Sequence, residues 1–176
     1  WTGEAGGQWS NPANWSGGAV PSLSNVLAVA IPAGGGNVVF DATAGPTTLQ
    51  SLDSQRPFSM AGGNLQISTG LTANDYSQSA GTVSGSGNMT VTGNFAQTGG
   101  SVDLARVLVT QNSGNLAVAS ITAPDLLLSA PRGVISQSGP LVANTLATLS
   151  QSGTTLAGPG NRIGTLSASN TGTGDI

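Results

Sequence analysis

The stretch Tyr76-Ser77-Gln78-Ser79-Ala80-Gly81-Thr82-Val83 returns further along the chain as Phe95-Ala96-Gln97-Thr98-Gly99-Gly100-Ser101-Val102. Both copies run apolar, small, Gln, two variable residues, Gly, then an apolar residue two positions on. Degenerate copies follow at Ile135-Ser136-Gln137-Ser138-Gly139-Pro140-Leu141 and Leu149-Ser150-Gln151-Ser152-Gly153. Val109-Thr110-Gln111-Asn112-Ser113-Gly114-Asn115-Leu116 fits in part. The Gln residues fall at 78, 97, 111, 137 and 151, so the period is loose.

Between the Gln positions the chain alternates. Asn64-Leu65-Gln66-Ile67-Ser68, Asn88-Met89-Thr90-Val91-Thr92 and Asn115-Leu116-Ala117-Val118-Ala119 each place apolar residues two apart. That spacing turns one face of a strand inward and the other outward. Coils of roughly 20 residues, built of short strands and Gly/Asn turns, predict a parallel β-helix, an all-β solenoid. Each strand would pair with its counterpart one coil on, at ~4.8 Å, giving roughly eight coils and ~40 Å of rod. Inward positions are expected to take Val, Leu, Ile, Ala and an occasional Phe. Outward positions are expected to take Ser, Thr, Gln and Asn, forming ladders along the outer face. A β-sandwich, also made of short strands and frequent turns, is the alternative. Hairpin signals such as Asn-Gly are missing from the sequence.

Composition agrees with strands. Gly (27), Ser (22), Thr (19) and Asn (13) fill nearly half of the 176 residues and interrupt almost every helical window. Leu, Ile, Val and Phe total 39, enough to build a core. Cys and His are both lacking, which excludes a disulfide framework, a Cys/His metal site and histidine-based catalysis. Four Arg, no Lys and a net charge of −3 argue against a nucleic-acid surface. No apolar run is long enough to span a membrane as a helix. The sequence starts at Trp1 and stops in mid-pattern at Asp175-Ile176, and reads as a mature protein or a part of something longer.

Residues 1–60 differ from residues 61–176. The first segment holds all three tryptophans, Trp1, Trp9 and Trp15, and then the first coils; the second holds the β-helical coils. The two are expected to form one continuous solenoid. Asn11-Pro12 favours a turn between Trp9 and Trp15. The tryptophans would close the first coil as a cap, or stack on sugar rings as a glycan platform.

The segment Trp1-Thr2-Gly3, Trp9-Ser10-Asn11-Pro12-Ala13-Asn14-Trp15 and Pro21 resembles a motif of large bacterial surface adhesins of the filamentous-haemagglutinin type. The stretch Ala157-Gly158-Pro159-Gly160-Asn161-Arg162-Ile163-Gly164-Thr165-Leu166 resembles a second recurring piece, an Asn-x-Ile-x-x-Leu element that ends a coil group. The resemblance implies a right-handed parallel β-helix that is exported, often through two-partner secretion, and exposed at the bacterial cell surface. It carries no catalytic residue.

Chemistry-bearing residues are sparse. The acids Glu4, Asp41, Asp53, Asp75, Asp103, Asp125 and Asp175 are spread along the chain without clustering. Successive coils could stack Asp103 on Asp125 and Arg106 on Arg132. A β-helix enzyme acting on glycans would need such clustering; surface ion pairs are the plainer expectation. Asn14-Trp15-Ser16 and Asn88-Met89-Thr90 match the glycosylation sequon at a frequency this composition gives by chance. No enzyme activity, cofactor or metal is expected. The expected function is structural and adhesive: coils stacked end to end, by self-association or within a longer chain, into an extracellular filament or biofilm rod. Carbohydrate binding through Trp1, Trp9 and Trp15 is the alternative, with a polysaccharide or cell-surface ligand as partner.

Overall fold

The computed structural model describes residues 1–3 and 6–176. Every strand pairing among them is parallel, and the strands form one continuous sheet wound into a solenoid. The β-sandwich alternative is therefore set aside, because it needs antiparallel neighbours. The helical content among the described residues is limited to two short 3-10 turns, Pro12–Asn14 and Ala42–Ala44.

Three faces recur in each coil. The first is laddered through Ala28–Ile31, residues 51–54 and 70–73, Asn88–Val91, Arg106–Thr110, Asp125–Ala130, residues 145–150 and residues 165–170. That ladder has eight rungs, matching the expected coil number. Gly70 pairs with Asn88, Arg106 with Asp125 and Thr145 with Thr165, so a coil takes about 18–20 residues. The second face runs from Val38–Phe40 through Phe58, Tyr76, Phe95–Gln97, Leu116–Val118 and Ile135–Gln137 to Thr154–Thr155. The third runs through Leu49, Ile67, Val83, Val102, Ile121, Leu141 and Arg162, each within a strand that pairs with the next. The strand Phe58–Ala73 turns two corners, and its pairing with neighbouring coils shifts register at both.

Stacking places like on like. Leu52, Leu71, Met89, Val107, Leu126 and Leu146 form one inner column, and all are essentially buried. Burying a side chain of this size contributes roughly 1.5–3 kcal/mol. On the second face Phe58, Tyr76 and Phe95 stack, with ring centroids 6.3 and 5.5 Å apart.

Three glutamines do not face outward as the sequence reading expected, whereas Gln66 and Gln151 are exposed as it expected. Gln78 and Gln97 are buried, and Gln111 nearly so. The reason lies at the corners, where the chain leaves a strand and a backbone N–H or carbonyl loses its partner in the next coil. A buried group of that kind must be satisfied. Gln97 does this three ways. Its Oε1 accepts from Ala119 N at 2.9 Å, and its Nε2 donates to Ser120 O at 3.1 Å and to Gln78 Oε1 at 3.3 Å. Gln78 donates to Gly81 O and Ser101 O. Gln111 accepts from Phe95 N at 2.7 Å. The loose Gln spacing also finds its cause here. Gln78, Gln97 and Gln137 stand at the corner after the second face, whereas Gln111 and Gln151 stand at the corner after the first. Two series with the same coil period are interleaved.

Glycine is required where the second face turns into the third. Gly63, Gly81 and Gly100 stack there at φ 74, 78 and 73°. A Cβ on Gly81 would meet Gly63 O at 2.6 Å. One coil later the corner shortens: six steps separate Ala96 from Val102, but only four separate their partners Ala117 and Ile121. Val118 replaces Gln in the column at that point.

Candidate functional site: the two ends of the solenoid

At the N-terminal end the tryptophans form a closed stack. Asn11 caps the Pro12–Asn14 turn by accepting from Ala13 N, and Pro12 starts it with its fixed φ. The turn brings Trp15 back over Trp9, where the Trp15 indole donates to Trp9 O at 2.8 Å. Trp1 meets Trp15 edge-to-face at 4.8 Å, and Trp15 meets Trp9 at 4.6 Å. Trp9 then packs on Phe40 and Phe58 at 5.5 and 6.1 Å. The aromatic column thus runs from Trp1 to Phe95. Trp9 is fully buried and Trp15 is 7% exposed, so only Trp1 keeps substantial indole surface at the exterior.

Arg56 ties this cap to the first coil. It is 8% exposed and reaches Gly3 O through Nη1 at 2.6 Å and Pro32 O through Nε at 2.8 Å. Sequence reasoning missed it, because both partners are backbone carbonyls distant in the chain.

A groove of about 420 Å³ lies beside the cap. Trp1, Trp15 and Pro21 line it together with Val26, Ala28 and Ala30. One wall is the strand Ala28–Ile31, which among the described residues pairs only with residues 51–54. Its other edge faces the groove. Leu23 and Leu27 are exposed close by in sequence.

At the C-terminal end the last coil is bare. The strand Arg162–Asn170 pairs with residues 142–150, and among the described residues with no other strand. Leu166 continues the inner column above Leu126 and Leu146, yet it is 51% exposed while Leu146 is 1%. Asn161 closes the corner before it, accepting from Leu141 N and exchanging amide hydrogen bonds with Gln137.

The expected charge stacks are not present. Asp125 stands on Arg106, not on Asp103, and Arg106 Nε meets Asp125 Oδ2 at 2.8 Å, both half-exposed. Asp103 is laddered with Ser84 and Thr122 on the third face. Arg132 lies in the turn after Asp125–Ala130 and does not stack on Arg106. Both expected spacings exceed the length of a coil, so neither comes into register. Such an exposed pair contributes ~0–1 kcal/mol. Glu4 lies outside the described residues. Among the described residues no group of three or more His, Cys, Asp or Glu side chains is placed to hold a metal ion, and no helix is long and apolar enough to cross a membrane.

What the ends can do is geometric. One end carries a groove of mixed polar and apolar lining along a sheet edge. The other carries a sheet edge with an uncovered leucine. Comparison with family models, curated proteins and solved structures finds no match to this chain.

Proposed function

We propose that the chain is a structural and adhesive module of a bacterial extracellular fibre or surface adhesin, in which coils continue end to end into a rigid rod. The observation that carries this reading is the last coil. Its inner column runs through Leu126 and Leu146 and stops at a leucine half open to solvent, beside a strand edge that pairs with nothing among the described residues. Unpaired edges with apolar side chains recruit further strands. The low charge of the chain supports close approach of rods, and the resemblance of the Trp1–Pro21 motif to surface adhesins supports an extracellular setting. Negative-stain electron microscopy of the protein tests the proposal. Filaments with an axial repeat near ~40 Å, the length of eight coils, are expected. Isolated short particles at all concentrations would refute end-to-end self-assembly.

A second reading, carbohydrate binding, has the partly exposed Trp1 wall of the groove in its favour. Indole fluorescence titrated with a polysaccharide panel tests it, and an unchanged spectrum throughout would remove it.

A further inference from the structure

We propose that the groove beside the indole cap binds a short neutral saccharide. Its ring stacks on the Trp1 indole while its hydroxyls pair with the free backbone groups of Ala28 and Ala30. This inference rests on the carbohydrate reading above and specifies its site and sugar class.

The strand Ala28–Ile31 spends only alternate backbone groups on its neighbour. Leu27 O accepts from Gln50 N and Ser51 N, and Ile31 O accepts from Gln55 N. Successive peptide groups of a strand point to opposite edges, so Val29 also faces residues 51–54, and Ala28 and Ala30 face away. Both alanines are exposed and line the groove. Their N–H and C=O groups have no hydrogen-bond partner among the described residues. The preceding stretch does not cover them, because Leu23 and Leu27 bond to Thr48, Gln50 and Ser51 in the next coil. The open edge therefore presents donors and acceptors in alternation. Sugar hydroxyls, which both donate and accept, suit such a row.

Trp1 supplies the other half of the site. Its ring is fixed before any ligand arrives: Nε1 donates to Gly3 O at 2.8 Å, and the ring meets Trp15 edge-to-face at 4.8 Å. Trp1 keeps part of its surface open, whereas Trp9 and Trp15 are covered. With Nε1 already bonded, what it offers is the negative face of the indole, which attracts the slightly positive C–H groups on one side of a pyranose ring.

Size and charge choose the class. The groove of about 420 Å³ falls in the range of small-ligand sites. Ser16 and Asn25 line it beside Pro21 and Val26, a mixture that matches a ring with an apolar face and a polar rim. No charged side chain lines it among the described residues, and Arg56 of the cap is committed to Gly3 O and Pro32 O. A sugar carboxylate would enter without a counter-charge, at a cost in desolvation. A partner's β-strand would use the same edge, but it needs the edge alone; the fixed indole beside it favours a sugar.

Backbone-amide and indole NMR of the full chain tests the site. The probes are neutral oligosaccharides from cellulose, starch, mannan and chitin, an acidic oligogalacturonate, and a blocked peptide of alternating valine and threonine. At least one neutral series is expected to shift the Ala28 and Ala30 amides together with the Trp1 indole, and oligogalacturonate to bind roughly tenfold more weakly or not at all. Ala30→Pro removes one free donor where an edge strand tolerates proline; it is expected to leave distant resonances in place and weaken binding about 3–10-fold. Trp1→Ala is expected to weaken it roughly tenfold, and Trp1→Phe to restore most of that loss. Saccharide shifts confined to another surface would overturn this site and leave the carbohydrate reading standing. Equal binding of oligogalacturonate would overturn the neutral class. A peptide that moves Ala28 and Ala30 when no saccharide does would make the edge a strand-addition site instead. If no saccharide moves any resonance, the carbohydrate reading falls together with the site.

Discussion

Replacing Gln97 by Leu isolates the role of the inward glutamines. The leucine has a similar size and would stand between Gln78 and the Val118 position in the buried column, so packing volume is nearly conserved. What is lost is specific. Ala119 N–H loses its acceptor at 2.9 Å, and Ser120 O loses its donor at 3.1 Å. Gln78 Oε1 keeps the Tyr76 hydroxyl at 3.2 Å, so it is not stranded. Leaving a buried donor unsatisfied costs about 1–3 kcal/mol. Ala119 is 6% exposed, which places its N–H in that class. The Ser120 carbonyl sits on a half-buried residue and recovers part of its loss from water. The total is about 2–4 kcal/mol. A repeat protein can open coil by coil, so a global melt would blur the effect. The sharper assay is amide hydrogen exchange at Ala119 by NMR. Local opening that becomes easier by about 1–3 kcal/mol speeds exchange there roughly 5–150-fold, while the amide of Val38, several coils away, should exchange as before. Exchange at Ala119 within twofold of the parent would refute the reasoning, because it would mean that the glutamine satisfies nothing.

Other perturbations separate the remaining contributions. Leu146→Ala should destabilise by about 2–5 kcal/mol and Leu166→Ala by under about 1 kcal/mol in the monomer, since the two share a column but only the first is covered; denaturant titration of both checks the contrast. Trp9→Ala should cost about 3–5 kcal/mol, with increased exchange concentrated in the first two coils and the last coil unaffected. The Tyr76 phenol, fully buried, is pushed well above the ordinary tyrosine range by desolvation. Its proton is retained in the folded state and lost in the unfolded chain above pH ~10, so stability should be level below that pH and fall above it by up to ~1.4 kcal/mol per pH unit. Since this is the only tyrosine, phenolate absorbance should rise only as circular dichroism reports unfolding; a titration near pH ~10 in the folded protein would contradict the burial.

Much of the fold was legible because stacking is periodic. Phe58, Tyr76 and Phe95 recur at coil spacing, and period-2 alternation around Leu65, Met89 and Leu116 marks which residues turn inward. The orientation of Gln78 and Gln97 was misread by weighing polarity above phase. Gln78 lies two residues after Tyr76 and Gln97 two after Phe95, so alternation alone puts each on the inner face. The Asp103 and Asp125 spacing was read without a fixed coil length, and an error of a few residues moves a side chain to another face. Arg56 and the groove had no local signal. Arg56 finds its carbonyl partners 24 and 53 residues away, and the groove forms only when the indole cap and a sheet edge come together. The Trp cap was half legible: three closely spaced indoles announce a cluster, but only Pro12 and its Asn11 cap fix which ring faces inward.

The coil ladder also dictates how this molecule should yield to a pull on its two ends. Hydrogen bonds between coils run along the rod, so tension applied there loads successive coils in series, and the coil with one neighbour gives way first. Unspooling should begin at residues 162–170 and proceed toward the tryptophans. Each event would free one coil, a gain of roughly 60–70 Å in contour length. A force–extension trace would show a regular sawtooth, ending in a stiffer final peak where the interlocked indoles and Arg56 hold the first coil.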